Sequence, residues 1–233
     1  MLGKFREQYQ RIMAPVGRAL AKTGITPNMI TGLTLLVAIL TAYIFAIGQL
    51  LWGLVTMILT VVLDMFDGAV ARASNLSSPF GATFDHTLDR YAEFFFMLGL
   101  MLGPLGSPEP YVYWFWGYFT LFGMIMASFT RAKAESVGGM ESCAVGIAER
   151  QEKLILTIIG ILLLGIPTSN IWLDFLNMIS TDAATFFIGI GIYNILIVFT
   201  IIAGILSHIT VVQRLSYAHK MISKRLREES EGL

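Results

Sequence analysis

The sequence predicts an all-α membrane protein with six transmembrane helices, preceded by an amphipathic helix at the membrane interface. Three observations carry that reading. Of the 233 residues 55% are hydrophobic and only 14% charged, with a mean hydropathy of +0.70, whereas a soluble domain is nearer a quarter charged. The apolar residues come in runs close to the roughly 20 residues that a helix needs to cross a bilayer. The lysines and arginines collect at one end of those runs.

Residues 2–22 carry Phe5, Tyr9, Ile12, Met13, Val16 and Leu20 at helical spacing, with Lys4, Arg6, Arg11, Arg18 and Lys22 between them. This pattern predicts a helix lying on the membrane surface, its basic residues near anionic head groups, bent or split at Pro15. The start, MLGKFREQYQ, lacks the apolar core of a signal peptide. Thr26-Pro27 reads as a helix cap followed by a first-turn proline. Spans are then expected at about 28–47, 50–71, 82–103, 110–131, 151–167 and 184–213, the fifth being short at Gly165-Ile166-Pro167. Residues 1–25 thus form a juxtamembrane helix, 26–216 the six-span domain and 217–233 a polar helical tail. The longest loop on the amino-terminal side, about 132–149, contains Gly138-Gly139 and reads as mobile. Tyr111, Tyr113, Trp114 and Trp116 read as an interfacial aromatic belt. The single cysteine, Cys143, excludes an internal disulfide framework.

In this topology all of the 16 lysines and arginines except Arg90 fall on the side of the amino terminus, while the opposite loops hold only Glu109, Asp174 and Asp182. Both termini are therefore expected in the cytoplasm, at the cell membrane, together with the end of the bundle that carries the aspartates.

Those aspartates are the chemical centre. Asp64 and Asp67 are three apart and Asp85 and Asp89 four apart, so each pair shares a helix face. The short segment between the spans, about 73–81, makes the two helices antiparallel neighbours and puts both pairs at one depth. Ionisable groups in a span are costly and mark function. Four converging carboxylates need a cation to stay ionised, and oxygen-only clusters suit hard divalent ions. Two ions about 4 Å apart suit phosphoryl chemistry. Gly68 lets a ligand approach the backbone, Ala71 keeps the same face open, Gly81 allows close contact, and Arg72 reaches a phosphate. A cation or proton pathway, as in a small cation transporter, explains the aspartates alone but not the glycines, the arginine and the spacing together. No nucleic-acid partner is expected.

The run Asp64-x-x-Asp67-Gly68-x-x-Ala71-Arg72, eight residues, Gly81, three residues, Asp85, three residues, Asp89 resembles the signature of the CDP-alcohol phosphatidyltransferase family at every fixed position. The resemblance implies a reaction in which an alcohol hydroxyl attacks the lipid-side phosphate of a CDP-activated lipid and CMP leaves. It implies that Asp64, Asp67, Asp85 and Asp89 bind two Mg²⁺ or Mn²⁺ ions, with Asp89 also the general base. It further implies that Asn28, Thr31, Gly68, Ala71, Arg72, Ser78 and Gly81 line the CDP portion, and that the protein works as a homodimer. Gly189, Gly191 and Gly204 suggest close helix packing in keeping with such a dimer. No serine or cysteine is evidently activated, so direct in-line displacement is expected, without a covalent enzyme intermediate.

Arg131, Lys133, Arg150, Lys153 and Arg214 gather at the cytoplasmic ends of the later spans, more charge than a neutral acceptor requires. An acceptor with its own phosphate explains it. Arg131-Ala-Lys133-Ala-Glu135 and Gly146-Ile-Ala-Glu149-Arg150 are similar to the inositol-phosphate-using branch of the family. That similarity implies that Ser128, Arg131, Lys133, Arg150, Lys153 and Arg214 bind the phosphate of inositol 1-phosphate. The branch commonly has arginine where this chain has Lys133 and Lys153, which keeps the charge but loses the bidentate geometry. Glycerol 3-phosphate is the alternative phosphorylated polyol.

Overall fold

The computed structural model describes residues 13–74, 76–166 and 170–231, and among these the regular structure is all helical. Residues 13–22 form α1, followed by α2 (Pro27–Ala46), α3 (Leu50–Ser74), α4 (Pro79–Leu102), α5 (Trp114–Ser136), α6 (Arg150–Gly165), α7 (Ile171–Ile179), α8 (Thr181–Gly189) and α9 (Ile195–Glu231). Two compact units divide the chain, residues 1–107 and 108–233. The expected amphipathic stretch over 2–12 lies outside the described residues; Pro15 does not split the helix of 13–22.

In the first unit α2 starts where the sequence says. The Thr26 hydroxyl accepts from the Met29 amide at 3.3 Å, and Pro27 fills the first helical position. α2 packs against both α3 and α4. The approach is close: a Cβ on Gly99 of α4 would stand 2.6 Å from the Ala42 Cα of α2. The α3–α4 turn is tighter than expected, since α3 runs to Ser74 and α4 begins at Pro79. α3 and α4 nevertheless do not pack closely along their lengths; α2 holds each of them, a correction to the simple pair of neighbours. Away from this core Leu33, Leu36, Leu40 and Tyr43 of α2 and Trp52, Val55 and Leu59 of α3 are exposed. So extended an apolar surface suits lipid rather than water.

In the second unit α9 packs against α5 and α6. Thr120 of α5 donates to the Thr200 carbonyl of α9 at 2.8 Å. A Cβ on Gly204 would meet Thr120 Oγ1 at 2.6 Å, so this glycine serves packing within the chain. Gly191 has φ +77° in the turn before α9, which only glycine adopts without strain, and a Cβ on Gly189 would meet nothing within 4 Å. The sixth apolar run therefore does not begin at 184. α8 ends at Gly189, and Asn194 starts a new helix by accepting from the Ile197 amide at 3.0 Å. The same turn takes up one member of the expected aromatic belt, Trp116, which donates to the Ile190 carbonyl at 2.9 Å; Trp172, outside that belt, donates to that of Ile192 at 3.0 Å.

Among the described residues three helical stretches are long and apolar enough to cross a membrane: Pro27–Ala46, Leu50–Ser74 and Ile195–Ser230. Of the other expected spans, α6 has 16 residues, and α4 carries Asp85, Asp89, Arg90 and Glu93 within nine residues. The tail is part of α9, which continues to Glu231 without a break. The 137–149 loop is fastened to it. Arg225 donates to the carbonyls of Gly139 at 2.9 Å and Gly138 at 3.0 Å, and Cys143 is buried with Ala134 and Ala218.

Candidate metal and phosphate site

The last three turns of α3 and the first three of α4 carry the acidic residues. α4 is placed by Ser78, whose hydroxyl accepts from the Gly81 amide at 2.9 Å, and by Pro79 in its first turn. From these two helices Asp64, Asp67 and Asp85 each present an oxygen so that the three atoms lie within 4.8 Å of one another. Asp85, Asp89 and a ring nitrogen of His86 form a second such group. Asp85 belongs to both. Asp67 and Asp89 are buried, Asp64 and Asp85 half-buried.

Such a cluster repels itself unless a cation or protons compensate it. Asp85 Oδ1 is buried with no hydrogen-bond partner, although a buried carboxylate oxygen ordinarily has one. An oxygen-rich donor set with an unsatisfied buried oxygen fits a hard divalent ion such as Mg²⁺ or Mn²⁺. His86 is at the rim, its side chain 82% exposed and its Nδ1 3.5 Å from Asp85 Oδ2.

Neighbouring side chains hold the carboxylates in place. Thr31 of α2 donates to Asp67 Oδ2 at 2.8 Å, across 36 residues of sequence. The Arg90 guanidinium lies between two acids, 2.9 Å from Glu93 Oε2 and 4.0 Å from Asp89 Oδ2. In the sequence Arg90 and Glu93 stand directly beside and one turn beyond Asp89. Their i,i+3 spacing was the available signal for the pair, but no local pattern could link Thr31 to Asp67.

The residues expected to line the CDP portion also gather here. A Cβ on Gly81 would stand 3.1 Å from Ser78 Oγ and 3.4 Å from Asn28 Oδ1, so Asn28, Ser78 and Gly81 meet. Arg72 is exposed and folds back over Gly68, its Nη1 3.2 Å from where a Cβ there would be. Ala71 is half-buried on the same helix.

The expected acceptor residues belong to the second unit and differ in their freedom. Ser128 donates to the Met124 carbonyl at 3.3 Å. Arg131 is exposed and donates through Nε to Glu135 Oε1 at 2.9 Å. Lys133 stands 5.7 Å from the centroid of the Phe129 ring. Arg150 opens α6 through a capping box of Glu149 and Glu152, and Lys153 is buried one turn on. Arg214 is buried and donates through Nε to the Val145 carbonyl at 2.9 Å and through Nη1 to that of Ala127 at 2.5 Å. Two of its three nitrogens therefore hold backbone, which the sequence did not reveal.

A family model for CDP-alcohol phosphatidyltransferase matches residues 24–212. The chain belongs to that family. It is a transferase of phospholipid synthesis, and membership decides against a cation transporter. Among similar proteins is the archaetidylinositol phosphate synthase of Pyrococcus horikoshii, 37% identical over 69% of this chain and 81% of that protein. The phosphatidylinositol phosphate synthase of Mycolicibacterium smegmatis is 34% identical over 70% of this chain and 72% of its own length. The crystal structure of Mycobacterium tuberculosis phosphatidylinositol phosphate synthase in complex with manganese and citrate matches with a TM-score of 0.70 and 26% identity over 88% of each chain. The same enzyme with CDP-DAG bound matches at 0.68 and 27%, over 89% of this chain and 94% of that one.

Proposed function

We propose that this enzyme transfers a lipid-bearing phosphate, of diacylglycerol or archaeol type, from a CDP-activated lipid to a hydroxyl of inositol 1-phosphate, releasing CMP. The observation that carries the reading is the convergence of Asp64, Asp67 and Asp85, with Asp89 joined through Asp85 and one buried Asp85 oxygen left unsatisfied. These four aspartates would hold two divalent ions. Bound there, Mg²⁺ or Mn²⁺ neutralises the pyrophosphate and favours departure of CMP. Asn28, Ser78 and Gly81 at the start of α4, with Arg72 over Gly68 and Ala71, seat the CDP portion. Thr31 acts on it through Asp67. Asp89 takes the proton of the attacking hydroxyl, and displacement is direct, with no enzyme-bound lipid. Arg131, Lys133, Arg150 and Lys153, with Ser128 and the remaining Nη2 of Arg214, bind the acceptor phosphate.

The positive-inside pattern and the exposed apolar helix faces support six spans in the cell membrane with both termini and the active site cytoplasmic and α1 at the interface; a homodimer as the working unit rests on the family resemblance alone. Purified protein in lipid nanodiscs, given CDP-diacylglycerol or CDP-archaeol, tests the reading. CMP release is expected with inositol 1-phosphate and Mn²⁺ or Mg²⁺, and none after chelation. Faster release with glycerol 3-phosphate would move the acceptor assignment to that polyol, and chelator-resistant release would remove the metal from the mechanism.

A further inference from the structure

Arg131 and Glu135 stand one turn apart on α5, and their contact runs through Arg131 Nε at 2.9 Å. The same carboxylate oxygen, Glu135 Oε1, accepts the backbone N–H of Cys143 at 2.9 Å. One atom thus ties the arginine to the 137–149 loop. With Nε engaged, the edge formed by Nη1 and Nη2 makes no hydrogen bond among the described residues. That edge is one of the two edges of a guanidinium that can meet two phosphate oxygens in parallel, and the one left open when Nε is engaged. Burial works against the charged form of Glu135. The Cys143 amide, the Arg131 hydrogen bond and the charges of Arg131 and Arg214 outweigh it and hold the carboxyl below the ordinary glutamate range.

The loop has further anchors that do not involve Glu135. The Ile147 amide donates to Gln213 at 2.7 Å, Arg214 holds the Val145 carbonyl, and Arg225 holds those of Gly138 and Gly139. Loop attachment alone therefore does not account for a carboxylate shared between Cys143 and Arg131.

We propose that Glu135 is a positioning residue for acceptor recognition: it fixes Arg131 through Nε and through the Cys143 amide, so that the Nη1–Nη2 edge is presented to the phosphate of a phosphorylated alcohol. The inference rests on the reading that Arg131 binds that phosphate. Without Glu135 the side chain samples other rotamers, and ordering it on binding costs part of the acceptor affinity.

The test is CMP release by the purified full chain with inositol 1-phosphate varied at saturating CDP-lipid, for Glu135→Gln, Arg131→Gln, the double variant and Arg225→Gln. Glu135→Gln keeps an amide oxygen for Cys143 and is expected to raise the acceptor KM roughly tenfold, leaving kcat and the CDP-lipid KM nearly unchanged. Arg131→Gln is expected to raise it at least as much, and adding Glu135→Gln to Arg131→Gln to change nothing further. Arg225→Gln loosens the loop elsewhere and should leave the acceptor KM as it is. If Glu135→Gln does not fold, Glu135→Asp, one methylene shorter, takes its place with the same expected rise. An unchanged KM in the Glu135 variant beside a raised one in Arg131→Gln overturns the inference and spares the acceptor reading. An unchanged KM in Arg131→Gln overturns the reading itself and the inference with it. Additive effects in the double variant, or an equal rise in Arg225→Gln, would assign Glu135 to loop stability instead.

Discussion

The acidic end of α3 and α4 and the basic end of α5, α6 and α9 are built on opposite principles. In the first, like charges from two helices are brought together, and a buried oxygen of Asp85 is left without a partner. In the second, several of the charges are already engaged: Arg214 by two carbonyls, Arg131 by Glu135, Arg225 by Gly138 and Gly139. Clustered acids of this kind could hold a cation. Engaged charge has a second task, holding a loop, so loss of function there and loss of stability are mixed and need separate measurements.

The contrast can be broken or sharpened by substitution. The largest effect is expected for Asp64→Asn and Asp67→Asn, which should lower CMP release at least ~1,000-fold by removing a ligand shared with Asp85. Release within tenfold of the parent protein would take those aspartates out of the site. Asp89→Asn should cost on the order of 100-fold or more in kcat while Mn²⁺ still binds, measured by electron paramagnetic resonance of the free ion. Thr31→Val removes the hydrogen bond to Asp67 and should weaken Mn²⁺ binding about tenfold, whereas Thr31→Ser should restore it. An equal loss in both variants argues for packing instead. On the basic side, Arg214→Met should act chiefly on folding, by about 2–4 kcal/mol as the buried Ala127 carbonyl and the half-buried Val145 carbonyl lose their donors. It should appear as a lower Tm in detergent; a normal Tm with a raised acceptor KM would place Arg214 in binding alone. Smallest is Ser78→Ala, about 1 kcal/mol from the lost cap of α4.

The clustering of the aspartates was legible in the sequence because its geometry is local. Asp64 with Asp67 and Asp85 with Asp89 each lie within about one helical turn, and the short α3–α4 turn brings the pairs together. The threonine cap at Thr26 and the apolar runs of α2 and α3 were legible for the same reason. What the sequence hid is set by tertiary contacts. The hydrogen bond from Thr31 to Asp67 spans 36 residues, and the one from Arg214 to Ala127 spans 87. The late start of α9 was missed because the run from 184 is continuously apolar, and the positive φ of Gly191 and the cap at Asn194 do not show in hydropathy. Nor did the diglycine foretell the loop's fate. Gly138 and Gly139 offer carbonyls to Arg225, a residue that read only as tail charge.

Asp85 belongs to both groups of ligand atoms, so its removal is the most direct test of a shared ion site. Mn²⁺ binding to purified protein and to Asp85→Asn, followed by electron paramagnetic resonance and by calorimetry, should show saturable binding in the first and its loss in the second. Equal binding in both would mean that the aspartates of α3 and α4 do not hold a metal together.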